Sequence, residues 1–184
     1  MKKLSLIILL FIFFGSCEES KISISNEIKL EVSKPEIDKD KELQLIMDVI
    51  ASETACLYKR DYNCWKAYWV QDKSASHSYN KGDGTYNTLI GWDKINEEIR
   101  TLMVNEPVKD KKSLYPIVKR KNVQVKFLGD KVAYLFWEQY QSDGKLPLYK
   151  KSQEIRVVEK IKGTWKLVNL STFWDYKNKV LFEN

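Results

Sequence analysis

The chain has one histidine, His77, and no Cys-x-x-Cys pair, so the residue sets that usually hold zinc are missing and no metal site is expected. No run of residues suits a transmembrane helix, because the longest apolar stretch, Leu4 to Phe14, has eleven residues where a span needs about 20. Internal repeats are absent. The glycine-bearing stretch KGDGTYN, residues 81–87, lacks the spacing and strand-to-helix setting of a phosphate loop. It reads as a turn that brings Asp83 or Tyr86 near a pocket mouth, and no cofactor is expected. Concentrated positive charge is lacking too: the densest basic run, Lys109 to Lys112, is broken by Asp110. A formal net charge of +6, scattered among acidic residues, points to no nucleic-acid partner.

What the N-terminus does have is an ordered signal. Lys2 and Lys3 precede the apolar run, and Gly15 and Ser16 stand directly before Cys17. The sequence Phe14, Gly15, Ser16, Cys17 resembles the lipobox of bacterial lipoproteins, with Phe14 where Leu is usual. That resemblance implies a signal peptide over residues 1–16 and lipidation at Cys17, whose several acyl chains anchor stably where one would be marginal. The alternative is an ordinary signal peptide cut nearby, with Cys17 a plain thiol. Glu18 and Glu19 resemble the acidic export signal of surface lipoproteins in the Bacteroidetes. An extracytoplasmic domain is therefore expected, tied to a bacterial membrane, the outer membrane on its periplasmic or surface side. Loss of Lys2 and Lys3 with the signal lowers the net charge from +6 to +4.

Residues 17–41 are polar and poor in aromatics, which reads as a tether. The alternation of Ile22, Ile24, Ile28, Leu30 and Val32 leaves open a strand at a sheet edge. Residues 42–178 then make one domain, followed by a short tail over 179–184. Leu43, Ile46, Met47, Ile50, Thr54 and Leu57 recur at helical spacing from about Lys41 to Lys59. Asp61 can cap a short second helix carrying Trp65, Tyr68 and Trp69. The stretch GWDKINEEIRTLM predicts a third, with Ile95, Ile99, Leu102 and Met103 as its buried stripe. Cys56 and Cys64 fall across the first corner and could form a disulfide or remain buried thiols.

After a loop from Asn105 to Tyr115 the period changes to two. A two-residue turn at Gly129 and Asp130 pairs Phe127 with Val132, Val125 with Tyr134 and Val123 with Phe136. That register puts Tyr134, Phe136, Glu138 and Tyr140 on one face, taken as inward, and leaves Leu135 and Trp137 outward. A second turn at Lys162 and Gly163 pairs Val158 with Leu167, Arg156 with Asn169 and Glu154 with Ser171. Helices followed by four long strands make an α+β domain.

Four stretches, KRDYNCWKAYW, GWDKI, LGDKVAY and KGTWKLVNLSTFW, come in an order that resembles the nuclear transport factor 2-like superfamily and its SnoaL-like members, over about Glu42 to Tyr176. The resemblance implies three N-terminal helices packed on a strongly curved antiparallel sheet, a cone with a pocket inside. It also implies a homodimer through the outer sheet face, where Trp137, Leu135 and Val168 would lie. In relatives the position of Ser171 is often an inward histidine. The candidate pocket residues are Trp69, His77, Tyr134, Phe136, Glu138, Tyr140, Glu154, Arg156, Asn169 and Ser171. Each has a plainer reading: the aromatics as core, the charged residues as an ion pair across strands, His77 as an exposed loop residue.

Three functions fit. The first is a cone binding a small, partly apolar molecule, oriented by Glu138, Arg156 and Asn169. The second is an isomerase, dehydratase or hydrolase in which Glu138 or His77 takes a proton and Tyr140 or Arg156 stabilises an oxyanion. The third is a surface interaction module built around Trp137.

Overall fold

Asp38 starts the first helix by accepting the Lys41 backbone N–H at 3.0 Å, which satisfies one of the donors a helix start leaves open. It belongs to a computed structural model that describes residues 38–105, 116–145 and 147–182. The expected signal peptide, Cys17 and residues 17–37 of the expected tether lie outside the described residues, as does most of the loop before the first long strand. Helix α1, Lys39–Tyr58, already includes the last residues assigned to the tether. Ile46 and Ile50, one turn apart, are fully buried, each worth about 1.5–3 kcal/mol of apolar burial. Asp61 caps α2, Tyr62–Ala67, by accepting the Cys64 N–H at 3.0 Å. A Cys56–Cys64 disulfide staples the corner between them, with Cα atoms 5.7 Å apart.

The three helices are not consecutive. A hairpin of β1, Ser76–Asn80, and β2, Tyr86–Ile90, separates α2 from α3, Trp92–Asn105. KGDGTYN forms its tip and the start of β2. There Asp83 accepts from the Thr85 N–H and hydroxyl, and Tyr86 is exposed. Strands β3, Ile117–Leu128, β4, Val132–Ser142, β5, Leu148–Ile161, and β6, Thr164–Leu181, complete one sheet in the order β2-β1-β6-β5-β4-β3. Among the described residues the sheet has six strands and is mixed, every pairing being antiparallel except β1 with β6. Strand β6 also runs three residues past the expected domain end at 178.

The expected hairpin register is corrected by one residue. The β3–β4 loop holds Gly129, Asp130 and Lys131, so Leu128 pairs with Val132, Phe127 with Ala133 and Val125 with Leu135. Gly129 takes a φ of 73°, which makes the three-residue loop easy to close. Because strand side chains alternate, this single step turns every β4 residue over. Leu135 and Trp137 are fully buried beneath the helices, while Tyr134, Phe136, Glu138 and Tyr140 occupy the opposite face.

Among the described residues three irregularities shift register again, and two of them set which residues reach the helix-covered face. On β3 a bulge between Lys121 and Gln124, with Asn122 at φ 56°, sets Arg120 opposite Gln139 on the helix-covered face. The second follows a turn at Lys162 and Gly163, both with positive φ, that pairs Val158 with Leu167 as expected. Beyond it β6 holds an extra residue, Val168, so Val157 pairs with Asn169, Arg156 with Leu170 and Glu154 with Thr172. Asn169 and Ser171 thereby leave the face shared by Glu154 and Arg156.

Candidate functional site

A cavity of about 880 Å³ lies between the helices and the concave face of the sheet. Helix α1 contributes Glu53, Thr54, Leu57 and Tyr58, and the α2 corner adds Trp65 and Trp69. His77, Tyr79 and Leu89 come from the β1–β2 hairpin. Lys94, Glu97, Glu98, Thr101 and Leu102 come from α3. The long strands close the floor with Gln139, Glu154, Arg156, Leu170, Thr172 and Trp174.

The floor is a buried polar network. Arg156 Nη2 meets Glu154 Oε2 at 2.9 Å, and both side chains are buried. Glu154 also accepts from Ser152 at 3.1 Å, Thr172 at 3.2 Å and Gln139 at 3.3 Å. Burial raises the Glu154 carboxyl above its usual range, with Arg156 as the main opposing influence. Among the described residues Nε and Nη1 of Arg156 have no hydrogen-bond partner, and neither have Arg120 Nε, Gln139 Oε1 and His77 Nδ1. Buried donors without partners cost about 1–3 kcal/mol each, so the protein alone leaves this floor incomplete. The Arg120 and Arg156 guanidiniums lie over the Trp137 ring at 5.8 and 5.5 Å.

Opposite the floor, Glu53 is 1 % exposed and its Oε1 accepts two indole N–H groups, from Trp65 at 2.7 Å and Trp69 at 3.2 Å. Glu53 was not among the candidates from sequence, although the signal is there: it stands seven residues after Ile46 and three after Ile50, on the buried stripe of α1. Arg120, Gln139 and Thr172 escape the sequence reading for a different reason: the three-residue β3–β4 loop turns Gln139 to this face, and the bulges bring Arg120 and Thr172. Burial pushes the His77 imidazole down to about 4, with the Arg156 charge adding, so it is neutral at ordinary pH. Burial likewise pushes the Tyr58 phenol up to about 12.

Of the candidates, Trp69, His77, Glu154 and Arg156 come together around the cavity. His77 is neither exposed nor in a loop; it stands on β1, its ring 5.1 Å from that of Tyr79. Tyr134, Phe136, Glu138, Tyr140, Asn169 and Ser171 do not line the cavity. Glu138 pairs with Lys151 on the next strand at 2.7 Å and accepts from Tyr140 at 2.9 Å, which together hold its carboxyl below the usual range. Asn169 donates to Ser76 at 2.9 Å and accepts from Ser171. Asp83 and Tyr86 stay away from the cavity as well. Among the described residues no group of three or more His, Cys, Asp or Glu side chains could hold a metal ion.

No family model matches the chain, and no curated protein matches it. Solved structures do. A protein from Novosphingobium aromaticivorans, provisionally named a scytalone dehydratase, superposes with a TM-score of 0.58 at 13% identity, covering 79% of this chain and 91% of that one. A nuclear transport factor 2-like protein of unknown function from Shewanella oneidensis gives 0.53 at 18% identity, over 72% and 98%. The association domain of C. elegans CaMKII gives 0.54 at 16% identity, over 72% and 95%. The chain therefore has the nuclear transport factor 2-like fold, an α+β architecture of helices on a curved mixed sheet.

Proposed function

We propose that the protein binds a small, partly apolar molecule inside its cone. The observation that carries this reading is the cavity of about 880 Å³, with indole and leucine walls above a polar floor whose buried donors lack partners. Apolar walls supply contact area and a few convergent polar groups fix orientation, as in small-molecule sites generally. Arg156, held by Glu154, takes the orienting role; Glu138 and Asn169, expected to share it, face the other side of the sheet. Native mass spectrometry of the protein purified from its own host tests the reading. A retained molecule, lost in Arg156→Met, supports it, and a protein that stays empty across a metabolite panel opposes it.

A second reading is an enzyme of the isomerase, dehydratase or hydrolase type, favoured by His77 and Arg156 lining one cavity. A neutral imidazole with an unpartnered Nδ1 could accept a proton while Arg156 stabilises an oxyanion. The version that uses Glu138 and Tyr140 is dropped because both lie on the far face. Recovery of the retained molecule separates the readings: a binder returns it unchanged, an enzyme converts it.

We also propose an extracytoplasmic, lipid-anchored protein with Cys17 as the acylated residue. Incorporation of labelled palmitate, lost in Cys17→Ser, is the test. A homodimer through the outer sheet face remains part of the proposal with different residues. Leu135 and Trp137 are buried inward, and the outer face instead offers Tyr134, Phe136, Ile155, Val157 and Phe173. The interaction module built around Trp137 loses its basis for the same reason.

A further inference from the structure

Helix α1 carries two glutamates that each accept an indole N–H, and they differ in one respect. Glu42 accepts from Trp165 at 2.6 Å and also pairs with Lys160 at 2.6 Å, so its charge is balanced. Glu53 accepts from Trp65 and Trp69, both neutral donors, and among the described residues it forms no ion pair. It is 1 % exposed, and it lines the cavity. A buried carboxylate outside any ion pair is costly; Arg120 reaches this one only through its field, which leaves direct contact from the cavity side to a cationic ligand.

The surroundings favour a cation as well. Glu53, Glu97, Glu98 and Glu154 line the cavity against Lys94 and Arg156, while His77 is neutral there. The charge of Arg156 is paired with that of Glu154, and among the described residues Glu98 has only the neutral donors Tyr79 and Asn87. Arg120 stands behind the wall. It stacks on Trp137 and reaches Thr54 Oγ1 at 3.5 Å; its field extends to Glu53, yet it does not line the cavity. Aromatic residues also line the walls: Trp65, Trp69, Trp174 and Tyr79. Aromatic faces around a carboxylate attract an ammonium through the ring quadrupole and the carboxylate charge together.

We propose that the cone selects an organic cation, a protonated or quaternary amine with an apolar body, whose ammonium sits against Glu53 among the aromatic side chains that line the cavity. This rests on the reading of the cone as a ligand pocket. Glu53 sets the charge of the ligand, and the indoles of Trp65 and Trp69 fix the carboxylate that does so.

Three probes of similar shape test it: phenyltrimethylammonium, its neutral isostere tert-butylbenzene, and the anion benzenesulfonate, each titrated against the full chain by tryptophan fluorescence. The expected result is about ten-fold or tighter binding of the cation than of the neutral probe. Glu53→Gln, which keeps an acceptor for the indoles, should remove that preference while leaving tert-butylbenzene binding unchanged. Trp174→Leu, at a half-buried position, should weaken the cation by about ten-fold, independently of how Glu53→Gln folds. Equal binding of cation and neutral probe overturns the inference and leaves the pocket reading standing. Preference for benzenesulfonate, lost in Arg156→Met, overturns it in favour of an anion. Failure of all three probes removes the pocket reading itself.

Discussion

Arg156 and Glu154, two residues apart on β5, form an ion pair of 2.9 Å at the floor of the cone with both side chains buried. Neither member is stable there alone. Arg156→Met, which leaves the buried Glu154 without its ion-pair partner, should cost about 3–5 kcal/mol in urea denaturation, and adding Glu154→Leu should recover a large part of it. Losses that simply add in the double variant would show that the pair is not coupled.

Glu53 holds two indoles in place. Glu53→Leu strands two buried N–H donors and should cost about 2–4 kcal/mol, whereas Glu53→Gln keeps an acceptor and should cost about 1 kcal/mol or less. Near-ultraviolet circular dichroism should change in the first variant only. Equal effects of the two substitutions would count against the hydrogen bonds as the source.

His77 makes stability depend on pH. Its folded value of about 4 lies below the ordinary 6.5, so the unfolded chain binds the proton first. The contribution is complete above about pH 6.5 and is lost as pH falls toward 4, up to about 3 kcal/mol. His77→Gln should flatten that part of the curve of stability against pH. A variant whose acid limb matches the parent would contradict the burial of a neutral imidazole.

The Cys56–Cys64 link closes a short loop across the α1–α2 corner. Chain-entropy reasoning puts its removal at about 2–3 kcal/mol, read as a lower melting temperature in the double Cys→Ala variant. Unchanged melting on adding reductant to the parent would argue that the link does not form in solution.

The β4 faces can be tested directly. Trp137→Ala empties the core and should cost about 3–5 kcal/mol, while Tyr134→Ser, at a position 40% exposed, should stay within about 1 kcal/mol of the parent. The reverse pattern would restore the register first expected from sequence. Sedimentation of Phe136→Asp and Phe173→Asp tests the outer face as a dimer surface, with loss of the dimer as the expected outcome.

The amino-acid sequence by itself determined the three helices and the four long strands, while the β1–β2 hairpin, read as loop and turn, emerged only in the folded chain. Period near four in α1 and α3, the Asp61 cap, the Lys162–Gly163 turn and the alternation of the long strands are local signals, set by backbone geometry and by burial of one face. Trp69, Glu154 and Arg156 are legible as candidates for the same reason, whereas His77 is a candidate from a stretch read as loop that the structure makes part of β1. Tertiary structure alone decided which faces meet the cavity. A third loop residue after Leu128, an extra residue at Val168 and another near Asn122 each move a strand by one position, and one position is half the strand period. Those shifts carried Trp137 and Gln139 inward, sent Glu138, Tyr140, Asn169 and Ser171 outward, and brought Arg120 beside a cavity that Glu53 faces from α1. The pairing that absorbs such an extra residue lies on a neighbouring strand many residues away, so no local pattern reveals it.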